Sequence, residues 1–273
     1  MTGTKRWPKI KEIEKMTNTA LLTGSYGGLG TCLARIHAEH GGDLILVGRN
    51  SEKLTKQAEE LRQEYDVTVK TIAADLAKPE AAQKIYDTCC KNGWTVDYLI
   101  NNAGFGGQGD FTRERTLAED MAMIAVNIET PTRLMKLFLP DTVKRGKGRV
   151  LNVSSTAGIL PGPLQAVYYA TKAYLTSVSN AIWRELKGTG VTVTALQPGA
   201  MTTGFAKKGG LSNTKMFQHT VDPMPVARDG YEGMMAGKLN VLSGLPGYQK
   251  PMMKLAPILP KQMMMDMVYD QQK

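Results

Sequence analysis

A single-domain, doubly wound parallel sheet with helices on both faces is the α/β fold that this 273-residue sequence predicts. Short apolar segments alternate with segments of helical length, and Gly or Pro marks many of the boundaries between them. Such alternation implies strand–helix–strand crossovers, which are right-handed and place parallel strands side by side. No internal repeat and no linker interrupts the chain before about residue 200, which favours one domain.

Six segments have the composition of buried strands. Val, Ile, Leu and Thr dominate them, as is typical of parallel strands covered on both faces. They span residues 19–22, 44–47, 67–72, 98–100, 150–153 and 191–196. Five helices are predicted between them, at residues 29–40, 51–65, 79–92, 113–139 and 166–187. Pro79 suits a first helical turn, and Gly41 and Gly188 suit helix ends.

Composition divides the chain into three parts. Residues 1–17 are predicted to be an N-terminal extension, and residues 18–243 to form the α/β domain, with a substrate-contacting loop at 204–221. Residues 244–273 are expected to pack on the same domain. Eleven of the 16 methionines lie from Met201 onward. Methionine suits adaptable pockets and contact surfaces, although core or subunit packing explains this enrichment equally well.

The formal net charge is +9, but the basic residues are scattered in short clusters. This distribution favours a solvated surface that attracts a phosphorylated cofactor, and no motif supports a nucleic-acid partner. The sequence has no apolar run of about 18 residues, and its first residues do not resemble a secretory signal. A weak membrane-surface contact through residues 248–269 is the less favoured alternative.

Three cysteines are too few for a disulfide framework, and no residue spacing predicts a metal site. We therefore expect a cytoplasmic protein without a metal ion.

The most informative feature is Tyr168, four residues before Lys172 and thirteen after Ser155. Residues four apart share one face of a helix, so the phenol and the ammonium are expected to meet. A nearby cation stabilises phenolate, which is expected to lower the tyrosine pKa from about 10 and to produce a proton donor usable near neutral pH. Tyr169 has the uncharged Ala173 at the same spacing and is therefore predicted only to pack.

A glycine-rich turn follows the first predicted strand and opens the first predicted helix. Backbone without side chains can approach a pyrophosphate closely, and the helix N-terminus offers free N–H groups. The spacing is Gly-x-x-x-Gly-x-Gly, which in this strand–turn–helix setting favours a dinucleotide over a plain tight turn. The expected contacts are Gly24, Ser25, Tyr26, Gly28, Leu29 and Gly30.

The end of the second predicted strand indicates which dinucleotide is bound. An acidic residue there would bind a ribose 2′-hydroxyl and repel a 2′-phosphate. This chain has Gly48 and Arg49 at that position, whereas Asp43 precedes the strand and is expected at the opposite edge of the sheet. Gly48 leaves space and Arg49 can grip a phosphate, so NADP(H) is the predicted cofactor.

The ordered motifs closely resemble those of the short-chain dehydrogenase/reductase (SDR) family, over residues 18–205. The motifs are Thr23-Gly-x-x-x-Gly-x-Gly30, Ala74-Asp75-Leu76, Asn101-Asn102-Ala103-Gly104, Asn127, Ser154-Ser155, Tyr168-x-x-x-Lys172, and Pro198-Gly199 with Thr203. The resemblance implies a Rossmann fold and an oxidoreductase. The tail from residue 244 to 260 also resembles a bacterial branch known only as generic oxidoreductases.

The resemblance also implies roles for the cofactor-binding residues. Asp75 would hydrogen-bond the adenine amino group and Leu76 would lie against the ring. The ribose would be lined by Asn102, Ala103 and Gly104. The nicotinamide carboxamide would be held by Pro198, Gly199 and Thr203.

The catalytic residues implied by the resemblance are Asn127, Ser155, Tyr168 and Lys172. Tyr168 would exchange a proton with the substrate oxygen, and Ser155 would stabilise charge on that oxygen. Lys172 would tune Tyr168 and bind the nicotinamide ribose, and Asn127 would hold a water that links Lys172 to solvent. The absence of a Gly-x-Ser-x-Gly pattern argues against a hydrolase.

The expected substrate edge is mostly apolar. Its predicted contacts are Phe105, Ile159, Leu160 and Phe205. A carbonyl reductase acting on a bulky apolar ketone or aldehyde, or on the alcohol in reverse, is therefore the predicted function. The alternatives are a 3-oxoacyl-thioester reductase and a cofactor-binding sensor or membrane-surface protein without turnover. Packing of the two longest helices against a second copy would give a homodimer or homotetramer, as the resemblance implies.

Overall fold

The computed structural model describes residues 18–247 and 249–273. The predicted extension, residues 1–17, lies outside the described residues, as does Tyr248.

Seven parallel strands form one sheet. They are β1 (Thr19–Thr23), β2 (Asp43–Gly48), β3 (Val69–Ala73), β4 (Tyr98–Asn101), β5 (Gly148–Val153), β6 (Val191–Pro198) and β7 (Asn240–Ser243). Their order across the sheet is β3-β2-β1-β4-β5-β6-β7. The strand order reverses between β1 and β4, and a parallel sheet offers a crevice for a ligand at the carboxyl ends of its strands at such a point.

Helices cover both faces of this sheet, which confirms the predicted fold class. They are α1 (Gly28–Glu39), α2 (Ser51–Tyr65), α3 (Ala81–Lys91), α4 (Leu117–Ile124), α5 (Thr130–Lys144), α6 (Ala166–Glu185), α7 (Gly204–Lys208), α8 (Pro223–Met235), α9 (Gln249–Leu255) and α10 (Lys261–Gln272). Short 3₁₀ turns occur at Thr156–Gly158, Lys215–Phe217 and Ala256–Ile258.

Side chains that alternate along the strands pack into two separate hydrophobic cores, one on each face of the sheet. Leu22 and Leu46 face one core together with residues from α1, α2 and α8. Leu21 and Ile45 face the other core, which α3, α5 and α6 complete. β1, β2, β4, β5 and β6 are thus buried on both faces, which explains why their sequences are largely apolar rather than alternating, whereas the edge strands β3 and β7 keep exposed residues.

The predicted helix at residues 113–139 is wrong at both ends and in its middle. The side chain of Asp110 accepts hydrogen bonds from the backbone of Thr112 and Arg113, so this part of the chain turns instead. A capping box between Thr116 and Glu119 then starts α4. A π-helical turn, Ala125–Glu129, separates α4 from α5.

α5 also continues past Pro140 to residue 144. Pro140 is exposed and so is Lys136, whose carbonyl the proline leaves without an N–H partner. Water can hydrate that carbonyl, so the helix does not have to end there.

The sequence analysis missed β7 and α8. α8 contains Gly230 and Gly233, which lower its intrinsic helix propensity. A Cβ on Gly230 would lie 2.6 Å from a methyl group of Leu196, and one on Gly233 would overlap Val241. Close packing on β6 and β7 therefore selects glycine here, and this tertiary requirement leaves no helical signature in the sequence.

The C-terminal segment returns to the sheet domain. Met264, Val268 and Gln272 of α10 are buried, and Val268 contacts a cluster that includes Tyr168 and Tyr169. Within the described ranges, no helix combines the length and the hydropathy needed to cross a bilayer.

Candidate active site

A cleft of about 700 Å³ opens at the carboxyl ends of the strands. It extends from the glycine turn after β1 to the segment that contains α7. Nineteen of the residues singled out from the sequence line it: Gly24, Tyr26, Gly28, Leu29, Gly30, Arg49, Asp75, Leu76, Asn102, Ala103, Gly104, Phe105, Ser155, Tyr168, Lys172, Pro198, Gly199, Thr203 and Phe205. The fold thus brings to one cavity residues that are up to 181 positions apart in the chain, from Gly24 to Phe205.

The glycine turn is fixed by the chain that follows β4. Gly24 has φ of +64°, a conformation that favours glycine. The side-chain amide of Asn102 donates hydrogen bonds to the carbonyls of Thr23 and Gly24, at 2.9 and 3.0 Å. A Cβ on Gly28 would lie 2.5 Å from Thr203, so Thr203 closes tightly over the start of α1. The N-terminus of α1 borders the cleft beside Thr203, and its glycines carry no side chains of their own.

Ser25 is placed differently from the prediction. Its hydroxyl is completely buried and donates to Gln57 of α2 at 2.8 Å, while the Gln57 amide donates to the Ser25 carbonyl at 2.9 Å. Ser25 is not among the residues that line the cleft. This side chain therefore ties the turn to α2, and a direct side-chain contact with a dinucleotide is not supported.

The end of β2 is organised around Tyr26. Its hydroxyl accepts hydrogen bonds from the backbone N–H groups of Arg49 and Asn50, at 3.0 and 3.1 Å. A Cβ on Gly48 would overlap the Tyr26 ring, so the space that Gly48 leaves is filled by this ring rather than kept for a phosphate. Arg49 is exposed at the cleft, and Asp43 lies at the opposite end of β2, as expected.

The predicted adenine and ribose contacts lie at one wall. Asp75 accepts a hydrogen bond from the Ala77 backbone at 3.2 Å, and the side chain of Leu76 is buried under the wall. Gly104 lies over Lys172 and Asn127, because a Cβ on it would be 3.2 Å from the Lys172 ammonium and 3.1 Å from the Asn127 amide oxygen. Glycine at this position lets the backbone approach the ammonium.

Ser155, Tyr168 and Lys172 meet at the base of the cleft. The Tyr168 hydroxyl hydrogen-bonds the Ser155 side chain. The Lys172 ammonium lies 5.8 Å from the centre of the Tyr168 ring and donates to the carbonyl of Val153 at 2.8 Å. α6 presents Tyr168 and Lys172 on one face, and the end of β5 brings Ser155 opposite them.

The expected lowering of the Tyr168 pKa is not found. Burial raises the pKa of the Tyr168 hydroxyl well above its ordinary value, and the hydrogen bond with Ser155 opposes this only in part. Burial also lowers the pKa of Lys172 to about 8. The protein by itself therefore keeps the phenol protonated at neutral pH, because desolvation of the phenolate outweighs any stabilisation by the ammonium.

Asn127 occupies the π-helical turn and is buried. Its amide oxygen accepts from the Phe105 backbone N–H at 3.2 Å, and its amide nitrogen donates to the Phe105 carbonyl and the Thr171 hydroxyl, both at 3.0 Å. Asn127 thus joins the chain after β4 to α6 beside Lys172. It does not line the cleft, so its predicted role in holding a water stays a prediction.

Three further predicted contacts lie at the end of β6 or shortly after it. The Gly199 backbone N–H donates to the Ser243 carbonyl of β7 at 3.0 Å, and a Cβ on Gly199 would lie 2.5 Å from the Gly244 carbonyl. The Thr203 hydroxyl accepts from the Phe205 backbone at 3.3 Å and caps α7. Pro198, Gly199 and Thr203 therefore form a compact wall opposite the glycine turn.

The substrate end of the cleft is only partly as predicted. Phe105 and Phe205 line it, and the Phe205 ring lies 5.5 Å from the Tyr168 ring. Ile159 and Leu160 do not line it; Leu160 instead packs against the cluster around Tyr168 and Tyr169. The 3₁₀ turn at Thr156–Gly158 directs the chain away from the cleft after Thr156 and Ala157.

Sequence reasoning missed Gln165 and Tyr169 at this end, whereas Lys208, Met216 and Phe217 lie in the substrate-contacting loop predicted at 204–221. Tyr169 was predicted only to pack, yet it borders the cleft beside Tyr168, with the ring centres 6.2 Å apart. Phe217 lies in an irregular segment, so no helix or strand period indicates its contact. The cluster of methionine and aromatic residues within 201–217 was the one available signal.

Comparisons with known proteins agree with this geometry. The family model described as short chain dehydrogenase matches residues 18–212. The very-long-chain 3-oxoacyl-CoA reductase of Homo sapiens is 32% identical over 191 residues, covering 69% of this chain and 61% of that protein. Sulfoacetaldehyde reductase 2 of Chromohalobacter salexigens is 36% identical over 191 residues, covering 70% of this chain and 75% of that protein.

A solved short-chain dehydrogenase from Sphingobium yanoikuyae, in complex with NADPH, has a similar fold. Its TM-score is 0.77 at 28% identity, covering 82% of this chain and 87% of that chain. The chain therefore belongs to the short-chain dehydrogenase/reductase family and has the nicotinamide-binding fold of that family. It spans about three fifths of the length of the human reductase.

Proposed function

We propose that this protein is a cytoplasmic, NADPH-dependent carbonyl reductase that acts reversibly on bulky apolar ketones, aldehydes or secondary alcohols. One observation carries the proposal. Ser155, Tyr168 and Lys172 meet at the base of the same cleft that is lined by the glycine turn and the N-terminus of α1. A protonated phenol and a turn that could hold a nucleotide thus border one cavity.

The residues fit a phosphorylated dinucleotide. Gly24, Gly28 and Gly30 leave the turn without side chains, and the N-terminus of α1 favours a pyrophosphate. The exposed Arg49 carries a guanidinium that can bind a 2′-phosphate through two parallel hydrogen bonds. The relative bound to NADPH supports the same choice. When bound, the reduced nicotinamide supplies the hydride, and the protein supplies the proton and the orientation of the substrate.

The roles of the three central residues follow from their protonation. Tyr168 stays protonated at neutral pH, so it can donate a proton to the carbonyl oxygen during reduction. The Ser155 hydroxyl, which hydrogen-bonds Tyr168, lies where it can also donate to that oxygen. Lys172 is buried beside them, and its ammonium would stabilise the tyrosinate that proton transfer leaves.

The substrate end supports a bulky apolar ligand. Phe105, Met201, Phe205, Met216 and Phe217 line it. Aromatic and methionine side chains bury large apolar area and adapt to irregular shapes. A sugar would leave its hydroxyl groups without partners against such a wall.

A screen of NADPH consumption over apolar ketones, aldehydes and 3-oxoacyl esters tests this proposal. We expect Tyr168→Phe to lower kcat at least 100-fold while the dissociation constant for NADPH changes less than threefold, since general acid catalysis contributes roughly 10²–10⁴-fold. Tyr168→Phe with near-normal turnover would refute the assigned acid. If the wild-type protein reduced none of the carbonyl compounds, the sensor alternative would replace the proposal.

Reduction of a 3-oxoacyl thioester is the second candidate. Lys208 borders the substrate end of the cleft and is exposed, so it can meet an anionic carrier. The human relative is named for such a reaction. The two candidate functions are distinguished by comparing kcat/KM for a 3-oxoacyl thioester of coenzyme A with that for the same acyl group on uncharged N-acetylcysteamine. A strong preference for the coenzyme A thioester that disappears in Lys208→Ala favours the thioester reductase.

We also propose a homodimer or homotetramer formed by mutual packing of α4–α5 and α6, the interface that the family resemblance implies. Sedimentation equilibrium of the purified protein measures the assembly directly, and a monomer at micromolar concentration would refute it.

A further inference from the structure

A second tyrosine borders the cleft next to the proposed acid. The Tyr169 side chain is only 5% exposed, and its ring stands nearly perpendicular to that of Tyr168. Its hydroxyl contacts Gln272 and Met216, and the proposed proton transfer does not use it. Its hydroxyl is nevertheless held in place by a residue from the far end of the chain.

That residue is Gln272 of α10, whose side chain is completely buried. Its amide nitrogen donates to the Tyr169 oxygen at 2.9 Å, and its amide oxygen accepts from Gln165 at 2.5 Å. Its backbone carbonyl accepts from the Gln108 side chain at 2.5 Å. α10 is thereby tied both to α6 and to the chain after β4, and the Tyr169 hydroxyl has a fixed orientation.

Among the described residues, the Tyr169 hydroxyl hydrogen has only a weak hydrogen-bond acceptor. Because the oxygen accepts from Gln272, the O–H hydrogen must point elsewhere. The one acceptor that the described residues offer it is the Met216 sulfur, at 4.0 Å. A thioether is a weak acceptor, and this distance is long. Burial raises the pKa of Tyr169 to about 12, so the hydroxyl stays a donor throughout the neutral range.

We propose that Tyr169, positioned by Gln272, is a further hydrogen-bond donor of the substrate site, and that it binds an oxygen of the substrate other than the reacting carbonyl. The proposal rests on the proposed function and narrows it. The ligand would be a largely apolar ketone that carries a further acceptor, such as an ester, thioester, ketone or hydroxyl oxygen. A substrate without this oxygen would leave the Tyr169 proton facing sulfur or carbon.

Matched pairs of ketones test the inference. The first pair is methyl 3-oxodecanoate and dodecan-5-one, which have equal chain length and differ in the ester group. The second pair is androstane-3,17-dione and androstan-3-one, which differ in a distant carbonyl. The variants are Tyr169→Phe, which removes one oxygen atom, and Gln272→Leu, with Gln271→Leu as the matched control because Gln271 is exposed.

For at least one pair, we expect Tyr169→Phe to lower kcat/KM of the oxygen-rich member about 3- to 10-fold more than that of its partner, as for the loss of one neutral hydrogen bond. Comparing each pair between wild type and variant cancels the intrinsic reactivity of the ketones. Gln272→Leu should raise KM for the same member with little change in kcat, because Gln272 only positions the donor. Gln271→Leu should change neither value, and KM for NADPH should stay within twofold in all three variants.

The dissociation constants of the four ketones for the NADPH-saturated Tyr168→Phe protein provide a second readout that does not require turnover. The same selective loss on adding Tyr169→Phe supports the inference even if the proposed reaction fails. The inference about Tyr169 is overturned if Tyr169→Phe affects both members of both pairs equally, or if no ketone binds. When the effects are equal and the wild-type protein still reduces the simple ketones, the proposed function stands although the inference about Tyr169 fails. Should Gln272→Leu not fold, Tyr169→Phe still decides.

Discussion

The two ends of the cleft are built from different material. The cofactor end is made largely of backbone: glycines at 24, 28 and 30, and the carbonyls of Thr23 and Gly24, which the Asn102 amide binds. The substrate end is made of large side chains, Phe205 and Met216 among them. Backbone geometry is specified by a few residues close together in sequence. A wall of side chains depends on segments that meet only after folding.

The polar groups at the two ends hold different parts of the molecule. At the cofactor end, the Asn102 amide binds backbone carbonyls, those of Thr23 and Gly24, which lie 79 and 78 positions away. At the substrate end, the Tyr169 hydroxyl depends on Gln272, which is 103 positions away. Substitutions should therefore separate the two ends: changes in the glycine turn should act on the cofactor alone, and changes in the far wall on the substrate alone.

The largest effect is expected for Gly30→Ala. Its new Cβ would overlap the Gly24 carbonyl and lie 2.8 Å from the Asn102 amide, so backbone would have to move. We expect KM for NADPH to rise roughly 10- to 100-fold, in line with overpacking costs of about 1–3 kcal/mol, and KM for the ketone to change less than threefold. Gly247→Ala, where the described structure leaves open space, is the control. An unchanged KM for NADPH would contradict the assignment of the glycine turn to the cofactor end of the cleft.

A smaller effect is expected for Arg49→Ala. Loss of a charge-assisted contact should raise KM for NADPH about 10-fold, while KM for NADH stays within twofold. Lys53→Ala is the matched control, because its ammonium lies 5.8 Å from the Tyr26 ring and outside the cleft lining. Steady-state kinetics with both cofactors measure this, and equal changes for NADPH and NADH would remove Arg49 from the 2′-phosphate site.

The smallest effect concerns Lys172, where the two ends join. Burial lowers its pKa from 10.5 to about 8, so between these values the unfolded chain binds a proton that the native protein does not. The free energy of unfolding should therefore rise as the pH increases through this window and should be insensitive to Lys172 below it. Lys172→Met should remove this slope and stabilise the protein at pH 7 by about 1–2 kcal/mol.

Denaturant unfolding at pH 7 and pH 9.5 measures the difference. The control is Lys187→Met, because Lys187 is exposed just after α6. A wild-type slope that persists in Lys172→Met would assign the titration to another group.

The sequence predicted six of the seven strands and most of the cofactor end. Those features depend on short-range patterns: continuous apolar runs, glycine spacing and a tyrosine four residues from a lysine. The predictions from sequence failed where the position of a residue depends on contacts with residues that are distant in the chain. Gln57 turns Ser25 away from the cleft, the Tyr26 ring fills the space over Gly48, and β6 and β7 demand the glycines of α8.

The protonation of Tyr168 gives the same lesson. The spacing of Tyr168 and Lys172 correctly placed them near one another, but it implied a lowered tyrosine pKa. Burial of both groups raises the pKa of the phenol and lowers that of the ammonium instead. A sequence shows which charges are near, but the degree of desolvation depends on everything packed around them.

The amino-acid sequence alone predicted six strands, most of the helices between them and the glycine turn, and it singled out Tyr168 as the candidate acid, because each depends on residues close together in the chain. Only the tertiary structure decided the shape of the substrate wall, the inward orientation of Tyr169 and its dependence on Gln272. The physical reason is that burial and hydrogen-bond partnership are properties of a packed interior. They exist only once segments far apart in the chain have come together.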